Sequence, residues 1–370
     1  MKKTRRAAAT GLTLLVTAAA LAGCGEAPEE TGASGSGEAA NSDFKPCIVS
    51  DAGGFDDKSF NQLGFEGATR AAEEQGVELT AVESNSGNDY GPNMESLVAE
   101  GCTTIVSVGF ALAAATKEAA TANPEIDFVL IDDAADGGDD GATFDGQPDV
   151  ENIKPLLYNT AEAAFLAGYL AADTSETGKV GTYGGEPFPT VTIFMDGFRQ
   201  GVEYYNEQKG ADVQVVGWDG ENGSFTGGFE ANPAATETAR QIINQDVDVI
   251  LPVGGPIYQG ALTAIADAGR DVALIGTDAD LFETDPNTQE VVLTSILKNM
   301  SDSTYQAVTA SAEGEIDFAP YVGTLEDGGV DIAPLHNYED QVSDTVMAEL
   351  DEIRAGIIDG SITVESYLQQ

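Results

Sequence analysis

The stretch CIVSDAGGFDDKSFNQLGFEG, residues 47–67, joins a short apolar run to a helical pattern through a loop rich in glycine and aspartate. An apolar run of this length, bounded by turn residues and followed by a helix, predicts a buried strand and its crossover helix. The loop places charged side chains and Phe60 at the carboxyl end of that strand. Ligands of open α/β sheets collect at such strand ends, so the loop is a candidate binding element.

The same alternation continues along the chain and predicts a first lobe. Strands are expected at residues 47–50, 77–83, 103–108 and 127–131, and helices at 59–75, 92–100 and 112–121. This βαβαβαβ order predicts a parallel sheet that is wrapped by helices.

A second set of strands and helices begins after the Gly/Asp-rich loop DDAADGGDDGATFDG. The predicted strands lie in KVGTYGG, VQVVGWDG, DVDVILPVGG and DVALIGTDAD, with helices at about 192–210, 232–246 and 258–269. We therefore expect two doubly wound α/β lobes joined by several chain crossings. Residues 44–158 with about 295–325 are assigned to the first lobe, and residues 159–294 with about 326–370 to the second. The strand and helix of VVLTSILKNMSDSTYQAVTASAEG are thus expected to return to the first lobe, and the placement of a C-terminal helix near 343–359 stays open.

The N-terminus is typical of an exported protein. Residues 1–23 combine a basic start, an apolar run and small residues ahead of Cys24, which predicts a signal peptide rather than a membrane-spanning helix of about 20 apolar residues. The sequence LAGC resembles the lipobox of bacterial lipoproteins, which implies that Cys24 is lipidated and holds the protein at the outer face of the cell membrane. Residues 24–43 are rich in Gly, Ser, Ala and Glu and predict a flexible tether.

The chain carries 63 acidic and 16 basic residues, a formal net charge of −47. Loss of the four basic residues of the predicted signal takes this charge to −51. Such a surface repels nucleic acid and anionic lipid, which argues against both as partners. Solubility, in high salt or at high pH, explains the charge without any dedicated ligand.

Two cysteines remain besides Cys24. Cys47 and Cys102 begin two apolar runs, so neighbouring parallel strands would bring them together at a spacing of about 4.8 Å, which suits a disulfide. The alternative is a pair of buried thiols. A metal site is not expected, because His336 is the single histidine and no CxxC pattern occurs.

The strand ends carry the candidate site residues. Asp51 ends the first strand, and the next residues allow two functions: Asp56, Asp57 and Ser59 can cap the following helix or face a ligand. Phe60 is either a core residue or a flat surface for an aromatic ligand. Equivalent positions follow the other strands: Gly109, Phe110, Asp132, Asp133, Gly254, Gly255, Asp278 and Lys298.

Carboxylates at strand ends are suited to vicinal hydroxyl groups, because an ionised acid offers several acceptor positions in one plane. This favours an uncharged ligand that carries a sugar. Lys298 would donate to such a ligand or balance a carboxylate; the alternative is an ordinary surface lysine.

Several motifs resemble the basic membrane protein family in order along nearly the whole mature chain. They are SDAGGFDDKSFNQLGFEG, AAFLAGYLAA, VGTYGGEPFPTVTIFMDGFRQGVEYYN, GTDAD, TSILKNM and VGTLEDGGVDIAPLHNYED. Members are lipid-anchored substrate-binding proteins of ABC transporters, including purine nucleoside receptors. The resemblance implies a type I periplasmic-binding-protein fold that closes on a nucleoside, a permease partner, no cofactor and a monomer.

The resemblance also implies roles for individual residues. Asp51 resembles a family aspartate at the ligand, Phe60 and Asn61 the pair whose ring stacks on the base, and Asp132 the acid that binds the base. Asp278 and Lys298 resemble the residues that hold the ribose hydroxyls. The family places a second aromatic residue just before a Gly-Gly pair, whereas here Pro252 and Val253 precede Gly254 and Gly255.

Two other functions fit parts of the pattern. DAGGFDD is similar to the calcium loop of nucleoside hydrolases, but that motif begins Asp-x-Asp and this chain has Val49 at the first of those positions. Few groups are available for catalysis. A receptor for another sugar-containing molecule or signal, without transport, would share the architecture and differ in its ligand and partner.

Overall fold

The computed structural model describes residues 43–136 and 148–368, which form two six-stranded sheets and the helices around them. The first sheet contains β1 (Pro46–Val49), β2 (Thr80–Val82), β3 (Thr104–Val108), β4 (Asp127–Ile131), β5 (Ile153–Tyr158) and β11 (Tyr321–Gly323). The second contains β6 (Lys179–Gly184), β7 (Gln214–Val216), β8 (Val249–Val253), β9 (Ala273–Asp278), β10 (Val292–Lys298) and β12 (Val330–Ile332). The predicted signal, tether and Cys24 lie outside the described residues, apart from residue 43.

The helices are α1 (Phe60–Gln75), α2 (Tyr90–Ala99), α3 (Ala113–Ala122), α4 (Thr160–Thr174), α5 (Pro189–Lys209), α6 (Pro233–Ile243), α7 (Tyr258–Ala268), α8 (Leu281–Thr284), α9 (Met300–Glu313) and α10 (Asp344–Ile358). Of the described helices, none combines the length and the hydropathy that spanning a bilayer requires.

The two sheets share one strand order and differ in the direction of one edge strand, β11 or β12. Their strand orders are β11-β5-β4-β3-β1-β2 and β12-β10-β9-β8-β6-β7, so each strand of one sheet has an equivalent in the other. All described pairs are parallel except β10 with β12. Central strands such as β3 and β8 are fully buried, as expected where helices cover both faces of a parallel sheet. The prediction of two doubly wound α/β lobes is confirmed; the sheets define the first lobe and the second lobe.

The expected return of the chain to the first lobe is wrong for the strand. β10 pairs with β9 in the second sheet, and the chain crosses only after Lys298. The helix that follows, α9, packs against α1 of the first lobe. The chain also crosses from the first lobe to the second after β5. The helix that follows β5 is α4, which packs on α5 of the second lobe. The C-terminal helix α10 contacts α4 and so lies with the second lobe.

Close packing of α4 on α5 depends on glycine. A Cβ at Gly201 would lie 2.0 Å from the Phe165 carbonyl oxygen, and one at Gly168 would lie 2.1 Å from that of Phe198. No side chain fits at such distances, so the two backbones approach directly. This close contact between α4 and α5 therefore stabilises the second lobe.

The cysteines of the first lobe are joined. Cys47 lies in β1 and Cys102 just before β3, which pairs with β1, and a disulfide links their sulfur atoms with the Cα atoms 5.9 Å apart. The bond closes a loop that contains α1, β2 and α2. It ties the start of β3 to the strand whose end carries Asp51.

The surface charge is left largely uncompensated. Each described lysine and arginine contacts a carboxylate or a backbone carbonyl. Acidic residues outnumber basic ones about fourfold in the whole sequence, so there are too few cations to pair with every carboxylate. Repulsion between them opposes the compact state.

We therefore expect the melting temperature to rise by several degrees when NaCl increases from about 0.01 M to 1 M, because the Debye length falls from about 30 Å to 3 Å. Calorimetry of the purified protein measures this effect. An uncharged osmolyte at equal osmolality is the control and should stabilise less. A melting temperature that is independent of NaCl would contradict the expectation.

Candidate functional site

A cavity lies where the carboxyl ends of the two sheets face each other. It contains about 520 Å³ of unfilled space, part of which opens to solvent, and both lobes line it. Eight predicted ligand-binding residues line it: Asp51, Phe60, Asn61, Asp132, Gly254, Gly255, Asp278 and Lys298. Ser59 does not line the cavity, because its hydroxyl is directed at the other lobe.

The centre of the site is a buried ion-pair group. Lys298 Nζ contacts Asp132 Oδ2 of the first lobe and lies 3.5 Å from Asp278 Oδ1 of the second. All three side chains are at most 7% exposed, so Lys298 is not the surface lysine of the alternative interpretation. Burial alone lowers the pKa of Lys298, but the two carboxylates outweigh it and the pKa lies above its ordinary value. Burial raises the pKa of Asp132 despite the lysine.

The two aspartates share an unusual backbone conformation. Asp132 follows β4 with φ of 65°, and Asp278 ends β9 with φ of 69°. These strands are equivalent in the two sheets. Left-handed φ values are uncommon outside glycine and occur at functional sites that the surrounding structure holds in place. The strand ends thus turn both carboxylates toward one lysine.

Aromatic rings surround the lysine. Its Nζ lies 5.1 Å from the ring centroid of Phe194, 5.2 Å from that of Phe60 and 5.7 Å from that of Tyr158. These distances permit cation–π attraction, which is strongest where water is excluded. Phe60 packs against the core and also lines the cavity, where its ring is available to a ligand.

Asp51 and Asn61 hold each other in position. Asp51 Oδ1 accepts hydrogen bonds from Asn61 Nδ2 at 2.7 Å and from the Gly53 amide at 2.8 Å, while the Asp51 amide donates to Asn61 Oδ1. Burial raises the pKa of Asp51 to about 6. The second Asp51 oxygen remains available to an N–H or O–H donor on a ligand.

Other acidic residues of these loops are structural. Asp57 accepts hydrogen bonds from the amides of Ser59, Asn61 and Gln62, so it caps α1 as well as lining the cavity. Asp56 pairs with Lys58 at the surface. Asp133 accepts from the Ala135 amide and does not line the cavity, so only Asp132 of that pair reaches it.

Two cavity-lining aromatic residues, Phe194 and Phe229, are not among the strand-end candidates, whereas the candidate Phe110 does line the cavity. Phe229 lies in the loop after β7, and its ring covers two glycines. A Cβ at Gly185 would lie 2.4 Å from that ring, and one at Gly254 would lie 2.7 Å from it. Gly185 and Gly254 indicate a position where another group can approach the backbone closely. The loop that contains Phe229 has no periodic pattern that would identify this residue as that group. Tyr258, which follows Gly254 along the chain, bonds to Asp285 instead.

The lining carries a formal negative excess. It includes Asp51, Asp57, Asp132, Asp278 and a single cation, Lys298. Such a site favours hydroxyl and amide donors and disfavours phosphate. Among the described residues, no group of three or more His, Cys, Asp or Glu is arranged to hold a metal ion.

The raised pKa values predict an unusual pH dependence of stability. Burial raises the pKa of Asp51 and of Asp133 to about 6, from 3.8 in the unfolded chain. The folded state therefore binds more protons between about pH 4 and 6, and stability falls as pH rises through this window. Between pH 7 and pH 5 we expect a gain of about 1 kcal/mol for each carboxyl group.

Denaturant unfolding at pH 5, 6, 7 and 8 measures this dependence. Asp51→Asn keeps the acceptor oxygen but removes the titration, so it should be more stable than the wild type at pH 8 and less sensitive to pH. Equal pH profiles for the two proteins would contradict the assignment to Asp51.

Comparisons with known proteins place this chain in a family. The model of the Bmp family, ABC transporter substrate-binding protein PnrA-like, matches residues 44–367. The ABC transporter nucleoside-binding protein BmpA of Lactococcus lactis subsp. cremoris is 28% identical over 99% of this chain and 100% of its own length. Basic membrane protein A of Borreliella burgdorferi is 29% identical over 72% of each chain.

Solved structures agree. An ABC transporter system solute-binding protein from Aeropyrum pernix K1 superposes with a TM-score of 0.76 at 26% identity, covering 88% of this chain and 94% of that one. A solute-binding protein from Conexibacter woesei, at 19% identity and a TM-score of 0.64 over 88% and 99% of the two chains, shares the fold. This is the periplasmic-binding-protein fold, as predicted, and the chain belongs to the Bmp family of PnrA-like ABC transporter substrate-binding proteins.

Proposed function

We propose that this protein binds a nucleoside, preferably a purine nucleoside, between its lobes and delivers it unchanged to the permease subunits of an ABC importer. The observation that carries the proposal is the buried group of Lys298, Asp132 and Asp278, because its members come from both lobes and line one cavity. A ligand held there contacts both lobes and so favours their closure.

Each part of a nucleoside has a suitable partner in this proposal. Asp278 and Lys298 accept from and donate to the ribose hydroxyls, and Asp132 accepts from an N–H of the base. Phe60 stacks on the base from the first lobe. Phe229 supplies the second aromatic ring from the opposite lobe, in place of the residue that precedes the glycines in relatives.

Charge supports a nucleoside over a nucleotide. The four aspartates of the lining give a phosphate no compensating cation beyond Lys298, which already contacts two of them. The relative from L. lactis is named a nucleoside-binding protein, which agrees with this ligand class.

The proposed setting is the outer face of the cell membrane. Cys24, which lies outside the described residues, is the site of lipidation after removal of residues 1–23, and residues 24–43 tether a monomeric binding domain near its permease. Metabolic labelling with palmitate tests this, because Cys24→Ser should abolish incorporation.

Thermal unfolding and the fluorescence of Trp218 test the ligand. Adenosine, guanosine and inosine should raise the melting temperature by mass action and be recovered intact, whereas free ribose, hexoses and nucleoside monophosphates should have little effect. Binding of sugars alone would indicate a different receptor, and cleavage of the nucleoside would indicate an enzyme.

A further inference from the structure

Two contacts join the lobes through Ser59 and Phe188, which lie outside the cavity lining. Ser59, at the start of α1 in the first lobe, donates its hydroxyl to the Thr277 carbonyl oxygen of β9 at 2.9 Å. Phe110 of the first lobe packs on Phe188 of the second, with the ring centroids 4.5 Å apart. Neither Ser59 nor Phe188 lines the cavity, although their neighbours Phe60 and Phe110 do.

The two contacts lie on either side of β8, whose carboxyl end lines the cavity. Thr277 lies in β9 and Phe188 follows β6, while β8 runs between these strands. The end of β8, Val253 and Gly254, lines the cavity. Adjacent strands are about 4.8 Å apart, so β9 and β6 are separated by about 10 Å.

Both contacts require the lobes to lie against each other. Ser59 is 1% exposed, and its amide donates to Asp57 Oδ1 at 3.0 Å, which holds the hydroxyl toward the second lobe. Its hydroxyl also lies 3.4 Å from Asp278 Oδ2, next to the buried ion-pair group. Separation of the lobes breaks the hydrogen bond and exposes the paired rings to water. Their free energy therefore stabilises the closed form alone.

We propose that Ser59 and Phe188 form a latch that lengthens the residence time of the bound nucleoside without touching it. This inference rests on the proposed function, in which the ligand is enclosed between the lobes. Both residues hold the lobes in position and do not contact the ligand. They act on release because a contact made after closure changes the dissociation rate more than the association rate.

Stopped-flow kinetics of the full chain in detergent, with adenosine, guanosine and inosine as separate probes, test the latch. Ser59→Ala should accelerate dissociation about fivefold, the equivalent of one hydrogen bond, and Phe188→Ala about tenfold. The double variant should approach the product of the two factors, since the sites are separate. Association rates should stay within about threefold of the wild type.

Ser107→Ala is the matched control. Ser107 is a buried serine of β3 whose hydroxyl accepts from Thr116 within the first lobe. Ser107→Ala should lower the melting temperature and leave the rate of nucleoside dissociation unchanged. Dissociation that is unchanged in Ser59→Ala and Phe188→Ala, or that changes equally in Ser107→Ala, would overturn the latch.

A second measurement separates the latch from the ligand class. Pulsed electron paramagnetic resonance between labels at Glu118→Cys in α3 and Ala234→Cys in α6 reports the separation of the lobes. Without added ligand, the Ser59→Ala/Phe188→Ala protein should show a broader or longer distance distribution than the unsubstituted pair. If no nucleoside binds the wild type, the proposed function fails and the distance measurement alone tests the latch. Equal distance distributions in the double variant and the unsubstituted labelled protein would then overturn the latch.

Discussion

Lys298→Met should abolish nucleoside binding and lower the free energy of unfolding by about 3–5 kcal/mol at pH 8, because it leaves buried carboxylates without their cation. Lys298 Nζ is the cationic partner of both Asp132 and Asp278. A loss of this size is a large part of the 5–15 kcal/mol typical of folded proteins. The loss should shrink toward pH 5, because protonation neutralises the unpaired carboxyl groups. Denaturant unfolding and titration calorimetry measure the two effects.

Lys179→Met is the matched control for this substitution. Lys179 lies 4.0 Å from Asp246 at the surface, with side chains 36% and 81% exposed, and such a pair contributes at most about 1 kcal/mol. The triple variant Lys298→Met/Asp132→Asn/Asp278→Asn removes all three charges. It should regain part of the stability but none of the binding. Wild-type affinity in Lys298→Met would contradict the assigned role of the lysine.

Strand ends were the part of the site that sequence patterns could predict. The expected strand at 127–131 matches β4, and it places Asp132 at the mouth of the sheet. GTDAD and TSILK likewise place Asp278 and Lys298 at the ends of two strands. Parallel strands bring their carboxyl ends to one edge, so a local pattern was sufficient to group these residues within each sheet.

Contacts between distant segments were not predictable in this way. β5 contains Pro155, which argues against a central strand, yet β5 pairs with both β4 and β11. β11 and β12 have three residues each, too few for a recognisable alternation. β10 was assigned to the wrong lobe because an apolar run does not reveal which sheet it joins. The lobe exchange after β10 follows from packing of α9 on α1, a contact between residues far apart in the chain.

Phe229 shows the same limit inside the site. Nothing in the loop GGFEANP marks its phenylalanine as a residue that lines the cavity, because its position depends on close approach to Gly185 and Gly254 from two other segments. Pro252 and Val253 stand where the family places an aromatic residue, and Phe229 packs over Gly254 from another segment. The side chain that completes the cavity therefore comes from a different loop.

Phe229→Ala should reduce the affinity for purine nucleosides by about 10–100-fold, since stacking of a base on an aromatic ring contributes about 1–3 kcal/mol. Phe60→Ala should cause a similar loss from the other lobe, and the loss in both variants should be larger for purines than for pyrimidines, which offer less ring area. Titration calorimetry with guanosine and uridine measures these affinities.

Phe225→Ala is the control that separates stacking from loop stability. Phe225 lies in the same loop as Phe229, is also partly buried, and packs edge-on against Trp218 at 6.2 Å without lining the cavity. Its ring covers Gly184 much as Phe229 covers Gly185. Phe225→Ala should therefore lower the melting temperature while its affinity stays within about threefold of the wild type. Equal losses of affinity in Phe225→Ala and Phe229→Ala would mean that the loop, rather than the Phe229 ring, determines binding.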